Sequence, residues 1–276
     1  MTFSIVARSA DGAEYGVAVA SKFLAVGAAV PAAEAGVGAV ATQSYANLAY
    51  RPDGLALLRA GQSAKETLDR LTGEDELRDQ RQAGIVAATG AGASFTGAEC
   101  FPWAGGRVGD GYSIQGNILA GPEVVAAMEQ AYLSTGVSEP LSRRLLVALL
   151  AGDRAGGDRR GRQSAALLVV TPGGGYGGGS DVLVDLRVDD HGDPVPELGR
   201  LLDLHTLYFE RPDPADCAPL EGELAERVRA LLAAKGFHAP DLDKALADWA
   251  SVENLEERMV AGRIDPLVLE QLAMNA

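Results

Sequence analysis

Residues 1–22 read MTFSIVARSADGAEYGVAVASK, and the rest of the chain is organised around this stretch. Alternation in TFSIVAR puts Thr2, Ser4 and Val6 on one face of a strand and Phe3, Ile5 and Ala7 on the other. Asp11-Gly12 is a turn signal. EYGVAVAS then returns as a second, antiparallel strand and delivers Lys22 towards the start of the chain. At about 3.4 Å per residue the two strands are each about 20 Å long and matched.

This hairpin holds the parts of a nucleophile if Met1 is removed, which a residue as small as Thr at the second position permits. Thr2 would then carry a hydroxyl and a free α-amine on adjacent atoms. A hydroxyl needs a base to attack a carbonyl. An α-amine, with an ordinary pKa of about 7.7–8.0, suits that role near neutral pH. A cation beside it, such as Lys22, would keep more of the amine unprotonated. The plainer reading is a Thr second in the chain and a Lys at a strand end, both of which are common.

Composition bounds the alternatives. The chain has 276 residues, 47% of them hydrophobic, enough for a large domain or a medium one plus a small one. A formal net charge of −14 makes nucleic acid a poor partner, because phosphate binding needs an excess of Lys and Arg. No apolar run is long enough to span a membrane. The start of the chain lacks a basic segment and a cleavage signal, so a cytoplasmic location is expected. Cys100 and Cys217 are too few for a disulfide framework. His191, His205 and His238 lack metal-ligand spacing, so neither a metal nor a cofactor is expected.

Further along, GVGAVATQSYAN reads as a strand followed by a polar cluster, Gln43, Ser44, Tyr45 and Asn47. Amides and hydroxyls before a helix N-terminus can bind a carbonyl oxygen or an anion, or can simply cap the helix. Arg51–Ala60 and the segment after the capping box Ser63-x-x-Glu66 predict a helix pair. QAGIVAATGAGASFTG predicts two strands around Gly90. YSIQGN is a strand ending in Asn117, whose amide would suit an oxyanion hole, or a turn beside Gly116. Two helices follow, from Pro122 and from Pro140.

In GGDRRGRQSAALLVV, Asp158 and Arg162 stand just before a buried strand, where they could hold a carboxylate, pin the nucleophile end, or form a tight charged turn. TPGGGYGGGS lacks the Gly-Lys-Ser/Thr ending of a phosphate loop and reads as a hairpin turn. Pro194–Glu210 is one more helix. RPDPADCAP, residues 211–219, reads as a linker between a domain spanning 1–210 and a small all-helical unit at 220–276. Helix pairs flanking antiparallel strand sets imply an α+β fold, a four-layer α-β-β-α sandwich.

The order of elements, with Thr2 opening the first strand, resembles the N-terminal nucleophile (Ntn) hydrolase superfamily. More closely, MTFSIVA, VAVASKFLAVGA, GVGAVATQSYAN, YSIQGNILAG and GGDRRGRQSAALLVV resemble a bacterial family of Ntn-hydrolase-like proteins, DUF1028. WASVENLEER and IDP resemble the peptidoglycan-binding-like C-terminal unit of some members. The resemblance implies cleavage of an amide bond, in a small molecule or a peptide, with Thr2 matching the terminal nucleophile. Lys22 lies near where proteasome-type members keep charged active-site residues and does not coincide with their catalytic lysine. By the same resemblance Asn117 would match an oxyanion-hole Asn and Ser164 the Ser that assists the nucleophile. Asp158 or Arg162 would orient substrate, and backbone groups near Gln43 and Ser44 would help Asn117 hold the oxyanion. A homo-oligomer, a dimer or larger, is expected on the same ground. The alternatives are an assembly protein of the same fold without catalysis, and a cell-wall binder acting through residues 220–276.

Overall fold

The opening hairpin forms β1 (Thr2–Arg8) and β2 (Tyr15–Ser21), antiparallel, with Phe3 opposite Ala20 and Arg8 opposite Tyr15. The computed structural model describes residues 2–274, and the chain divides into two units between Leu201 and Leu202. The dividing point falls within a helix, described below.

After β2 come a short helix α1 (Val26–Ala29), β3 (Pro31–Glu34) and β4 (Gly38–Ser44). The expected helix pair is α2 (Tyr50–Arg59) and α3 (Ala64–Gly73). The capping box of α3 is formed: the Ser63 backbone N–H donates to Glu66 Oε2 at 2.9 Å and the Glu66 N–H to Ser63 Oγ at 3.2 Å. Next are β5 (Arg81–Ala87), β6 (Ala93–Thr96), β7 (Gly105–Gly109) and β8 (Tyr112–Asn117). Helices α4 (Glu123–Ser134) and α5 (Leu141–Arg154) follow, then β9 (Ser164–Val170), β10 (Val182–Val188) and α6 (Pro194–Phe209).

The class is α+β with antiparallel sheets. One sheet has the order β10-β9-β2-β1-β8-β7 and the other β3-β4-β5-β6. β1 therefore lies inside the larger sheet, between β2 and β8. β1 touches β4 and β5, and β5 touches β8, so the sheets meet face to face. α5 lies against β1, β2 and β9, and α2 and α3 lie against β4 and β5.

The alternation read in TFSIVAR is realised. Val6, Val17 and Val19 pack with Ala39, Ala41 and Val86 between the sheets, while Phe3 turns to Gly152 of α5. Fully burying one such aliphatic side chain stabilises by about 1.5–3 kcal/mol. The layer between the sheets is apolar around β2, β9 and β4 and becomes a network of side-chain amides around β1, β5 and β8. Gly84 is the glycine this network requires: a Cβ there would come within 2.0 Å of Gln115 Oε1.

The second unit contains α7 (Gly222–Ala234), α8 (Leu242–Val252) and α9 (Pro266–Ala273) around Val228, Leu232, Leu246, Trp249, Val268 and Leu272. It is helical without being wholly so. Ala218–Pro219 pairs antiparallel with Arg263–Ile264, a ladder too short to show as alternation in the sequence. A buried ion pair, Arg258 with Asp265, joins its segments, and Arg258 also donates to the carbonyls of Leu207 and Thr206, each at 2.8 Å. No helix among the described residues is long and apolar enough to cross a membrane.

Candidate active site

Strand register assembles a polar row at the Thr2 end of the larger sheet. Thr2 pairs with Asn117 of β8. On its other side the hairpin puts it opposite Ser21, and the two hydroxyls lie 3.1 Å apart. Ser21 pairs in turn with Ser164 of β9. Paired residues of adjacent strands point to the same face. Asn117, Thr2, Ser21 and Ser164 thus line up across four strands, over about 14 Å at the usual strand spacing.

Three of the four have defined tasks within the fold. Asn117 is 1% exposed and its Nδ2 donates to Gln82 Oε1 at 2.9 Å. Ser164 donates to the Phe23 carbonyl and accepts from the Val26 N–H at 3.1 Å, so it holds the turn that follows β2. Ser21 is the residue that register brings to the Thr2 hydroxyl. Lys22 stands one position further on, exposed, with its backbone N–H donating to Asp158 Oδ2 at 2.8 Å.

Asp158 is the buried charge of this end, its side chain 2% exposed. Besides Lys22 it accepts from the backbone N–H of Arg160 at 2.8 Å and from the Arg160 guanidinium at 3.2 Å. It thereby ties the chain just past Ser21 to the loop preceding β9. Arg162 is engaged elsewhere: it donates to Asp153 at 2.7 Å and to Asp193 at 3.1 Å. The bond it donates to Asp153 raises its guanidinium pKa above the ordinary value.

The expected cluster Gln43, Ser44, Tyr45 and Asn47 is dispersed. Gln43 and Ser44 belong to β4 instead of following it. Gln43 is 1% exposed; it accepts from Ser4 Oγ at 2.7 Å, and its Nε2 donates to Gln82 Oε1 at 2.8 Å. Ser44 meets the Cys100 thiol at 3.6 Å. Tyr45 is exposed to solvent. Asn47 donates to Asp75 at 3.0 Å, in a separate cluster with Tyr50 and Arg81. Strand alternation separates Gln43 from Ser44, and the turn after β4 carries Asn47 away.

Burial opposes ionisation of Asp75, but donors from Arg81, Asn47, the Leu77 N–H and Tyr50 outweigh it and hold the carboxyl well below the usual range. Burial and the Asp75 charge together push the Tyr50 phenol above its ordinary value.

Gln82 and Gln115, not singled out in the sequence, complete the amide network. Gln82 donates to the Gly116 carbonyl at 2.7 Å and to Thr96 at 2.9 Å. Gln115 donates to Ser4 Oγ at 2.6 Å and accepts from Ser113 at 2.8 Å. A Gln inside RQAGIVA or YSIQGN is a visible anomaly in an apolar strand. The partners from distant strands, Gln43 and Asn117 for Gln82 and Ser4 for Gln115, are not visible there. Ser21 was within reach of a register count about the Asp11-Gly12 turn.

Two non-glycine residues at the ends of these strands have left-handed backbone, Ser44 at φ 68° and Ile118 at φ 48°. For a β-branched residue such as Ile118 this conformation is a true outlier. A cleft of about 350 Å³ is lined by Phe3, Ala20, Ser21, Asp158, Arg154 and Val195, among others. Phe3 and Ala20 belong to the helix-facing side of the sheet, opposite the face that carries the Thr2 hydroxyl. Ser21 is common to the cleft and the polar row. No group of His, Cys, Asp and Glu that could hold a metal ion occurs among the described residues.

Comparison with known proteins follows the two units. Residues 2–198 match the model of a family of unknown function, DUF1028, and residues 208–272 match one described as "Putative peptidoglycan binding domain". Among solved structures, protein SPO2555 from Silicibacter pomeroyi, itself a DUF1028 protein, is 28% identical, covering 82% of this chain and 92% of that one with a TM-score of 0.67. Anbu, an ancestral β-subunit from Yersinia bercovieri, is 12% identical over 76% of this chain and 98% of that one, with a TM-score of 0.32. No curated protein matches the chain. The matched strands carry Thr2, Ser21, Asn117 and Ser164, and the chain belongs to the DUF1028 family.

Proposed function

We propose that the chain is an Ntn-type amide hydrolase whose nucleophile is Thr2, exposed as the terminal residue by removal of Met1. The observation that carries this reading is the placement of Thr2: first residue of an interior strand, with its hydroxyl 3.1 Å from Ser21 Oγ. The element contacts described above support a four-layer α-β-β-α order, the architecture that the sequence resemblance implies.

In this reading the α-amine of Thr2 takes the hydroxyl proton as Oγ1 attacks the amide carbonyl, then gives it to the leaving amine. The resulting ester is hydrolysed by water, with the amine as base again. Amine and hydroxyl sit on adjacent atoms, so little orientation entropy remains to be lost. Ser21 orients the hydroxyl, and Asp158 fixes the segment after Ser21. Backbone strain at Ser44 and Ile118 is consistent with a functional end of the sheets. The substrate is a small molecule or a peptide, and the protein acts as a homo-oligomer in the cytoplasm.

Burial favours a second reading, assembly without catalysis. Thr2 is only 6% exposed, and Asn117 spends an amide hydrogen on Gln82 in place of an oxyanion.

Two measurements separate the readings. Intact mass of the purified protein is expected to show a chain beginning at Thr2. A β-lactone is expected to acylate wild type and, more slowly, Thr2→Ser, and to leave Thr2→Ala unlabelled at this site. Complete retention of Met1, or equal labelling of Thr2→Ala, refutes the enzyme reading and leaves the assembly reading first.

A further inference from the structure

The cleft beside Ser21 has a floor of Phe3, Ala20 and Val195, and its rim carries Asp153, Arg154, Asp158 and Arg162. The charges on this rim are unequally engaged. Arg162 is bonded to Asp153 and Asp193, and Asp158 to Arg160 and to two backbone N–H groups. Among the described residues no ion pair or side-chain hydrogen bond involves the Arg154 guanidinium, although it lines the cleft. In a chain of net charge −14, an unengaged guanidinium beside an apolar floor is a selective place for an anion.

We propose that this cleft binds the carboxylate end of a small apolar ligand of the N-acyl amino acid type, with Arg154 as the carboxylate receptor and Phe3, Ala20 and Val195 against the apolar side chain. As a substrate subsite the proposal rests on the Thr2 reading; as a binding site it does not. Three features select the class. A planar guanidinium matches a carboxylate in bidentate geometry. A phosphate, at about −1.5 to −2 charge near neutral pH, would be repelled by the carboxylates of Asp153 and Asp158 more strongly than a singly charged carboxylate. A cleft of about 350 Å³ lies at the small end of the range for ligand pockets and suits a single amino-acid residue with a short acyl group. Ser21, which lines the cleft and meets the Thr2 hydroxyl, is where an acyl group extending from the bound residue would arrive at the strand end.

Calorimetric titration of the full chain tests this, with N-acetyl-L-leucine as probe and N-acetyl-L-leucinamide as its uncharged counterpart. The titration is done with Thr2→Ala as well as wild type, so that binding is read without turnover and independently of whether Thr2 acylates. The expected result is that the acid binds both proteins alike, at least tenfold more tightly than the amide. Arg154→Ala is expected to weaken the acid at least tenfold and leave the amide unchanged. Arg154→Lys should recover part of the loss. Arg154 is exposed, so an unchanged thermal melt checks that the fold is intact. The proposal is overturned if acid and amide bind equally, if neither binds, or if Arg154→Ala binds the acid as wild type does.

Discussion

Replacing Gln82 by Met tests whether the amide network between the sheets holds the Thr2 end in place. Met keeps the length and nearly the volume of Gln, so no cavity opens. What changes is hydrogen bonding. Gln82 Oε1 accepts from Gln43 Nε2 at 2.8 Å and from Asn117 Nδ2 at 2.9 Å. Without it, Asn117 is left as a buried donor with that acceptor gone. Gln43 keeps weaker contacts at 3.4 Å to the Thr2 and Gln115 carbonyls, which makes it half an orphan.

An unsatisfied buried donor costs about 1–3 kcal/mol, so the two together cost about 2–4. Burying a thioether in place of an amide offsets about 1 kcal/mol. The net expected loss is about 1–3 kcal/mol, or a melting temperature lower by about 2–12 °C for a unit of this size. The two units need separate readouts because a single transition cannot be assumed. Trp103 lies in the first unit and Trp249 in the second. Fluorescence melts in a Trp249→Phe background therefore follow the first unit alone. A loss below about 0.5 kcal/mol would refute the claim that the network holds the sheets in register.

Three further outcomes follow from the same geometry. Gly84→Ala should destabilise the first unit by more than the usual helix or strand propensity, because its Cβ has no room beside the Gln115 amide; an unchanged melt would show that Gln115 can move away. Asp265→Ala should cost the second unit about 3–5 kcal/mol by leaving Arg258 buried and unpaired, and the double change with Arg258→Met should recover part of it, read by Trp249 fluorescence in a Trp103→Phe background. The lowered pKa of Asp75 has a definite sign: the unfolded chain binds a proton that the folded one does not, so stability rises with pH. That contribution is complete above about pH 4 and is lost as pH falls towards the lowered value; urea melts of wild type and Asp75→Asn should therefore converge on acidification, and a constant gap between them would count against it.

The sequence by itself determined the elements whose causes are local. Alternation wrote β1 and β2, Asp11-Gly12 placed their turn, and Ser63 with Glu66 capped α3. Each of these depends on neighbours within a few residues, which a single chain displays. The family was equally legible, because its strings run through the strands that carry Thr2, Asn117 and Ser164. Tertiary structure alone decided what those residues touch. Lys22 reads from the sequence as a charge near Thr2 because it ends the second strand; the register adds Ser21 at the Thr2 hydroxyl, with Lys22 exposed one residue beyond. Gln43 was read with its sequence neighbours, yet it bonds Ser4 and Gln82, 39 residues away on either side. Side chains on adjacent strand positions point to opposite faces, and packing one sheet on another pairs residues from distant strands. A polar side chain read along the chain thus has its chemistry written in it, while its partner is set by which strands stack and in what register.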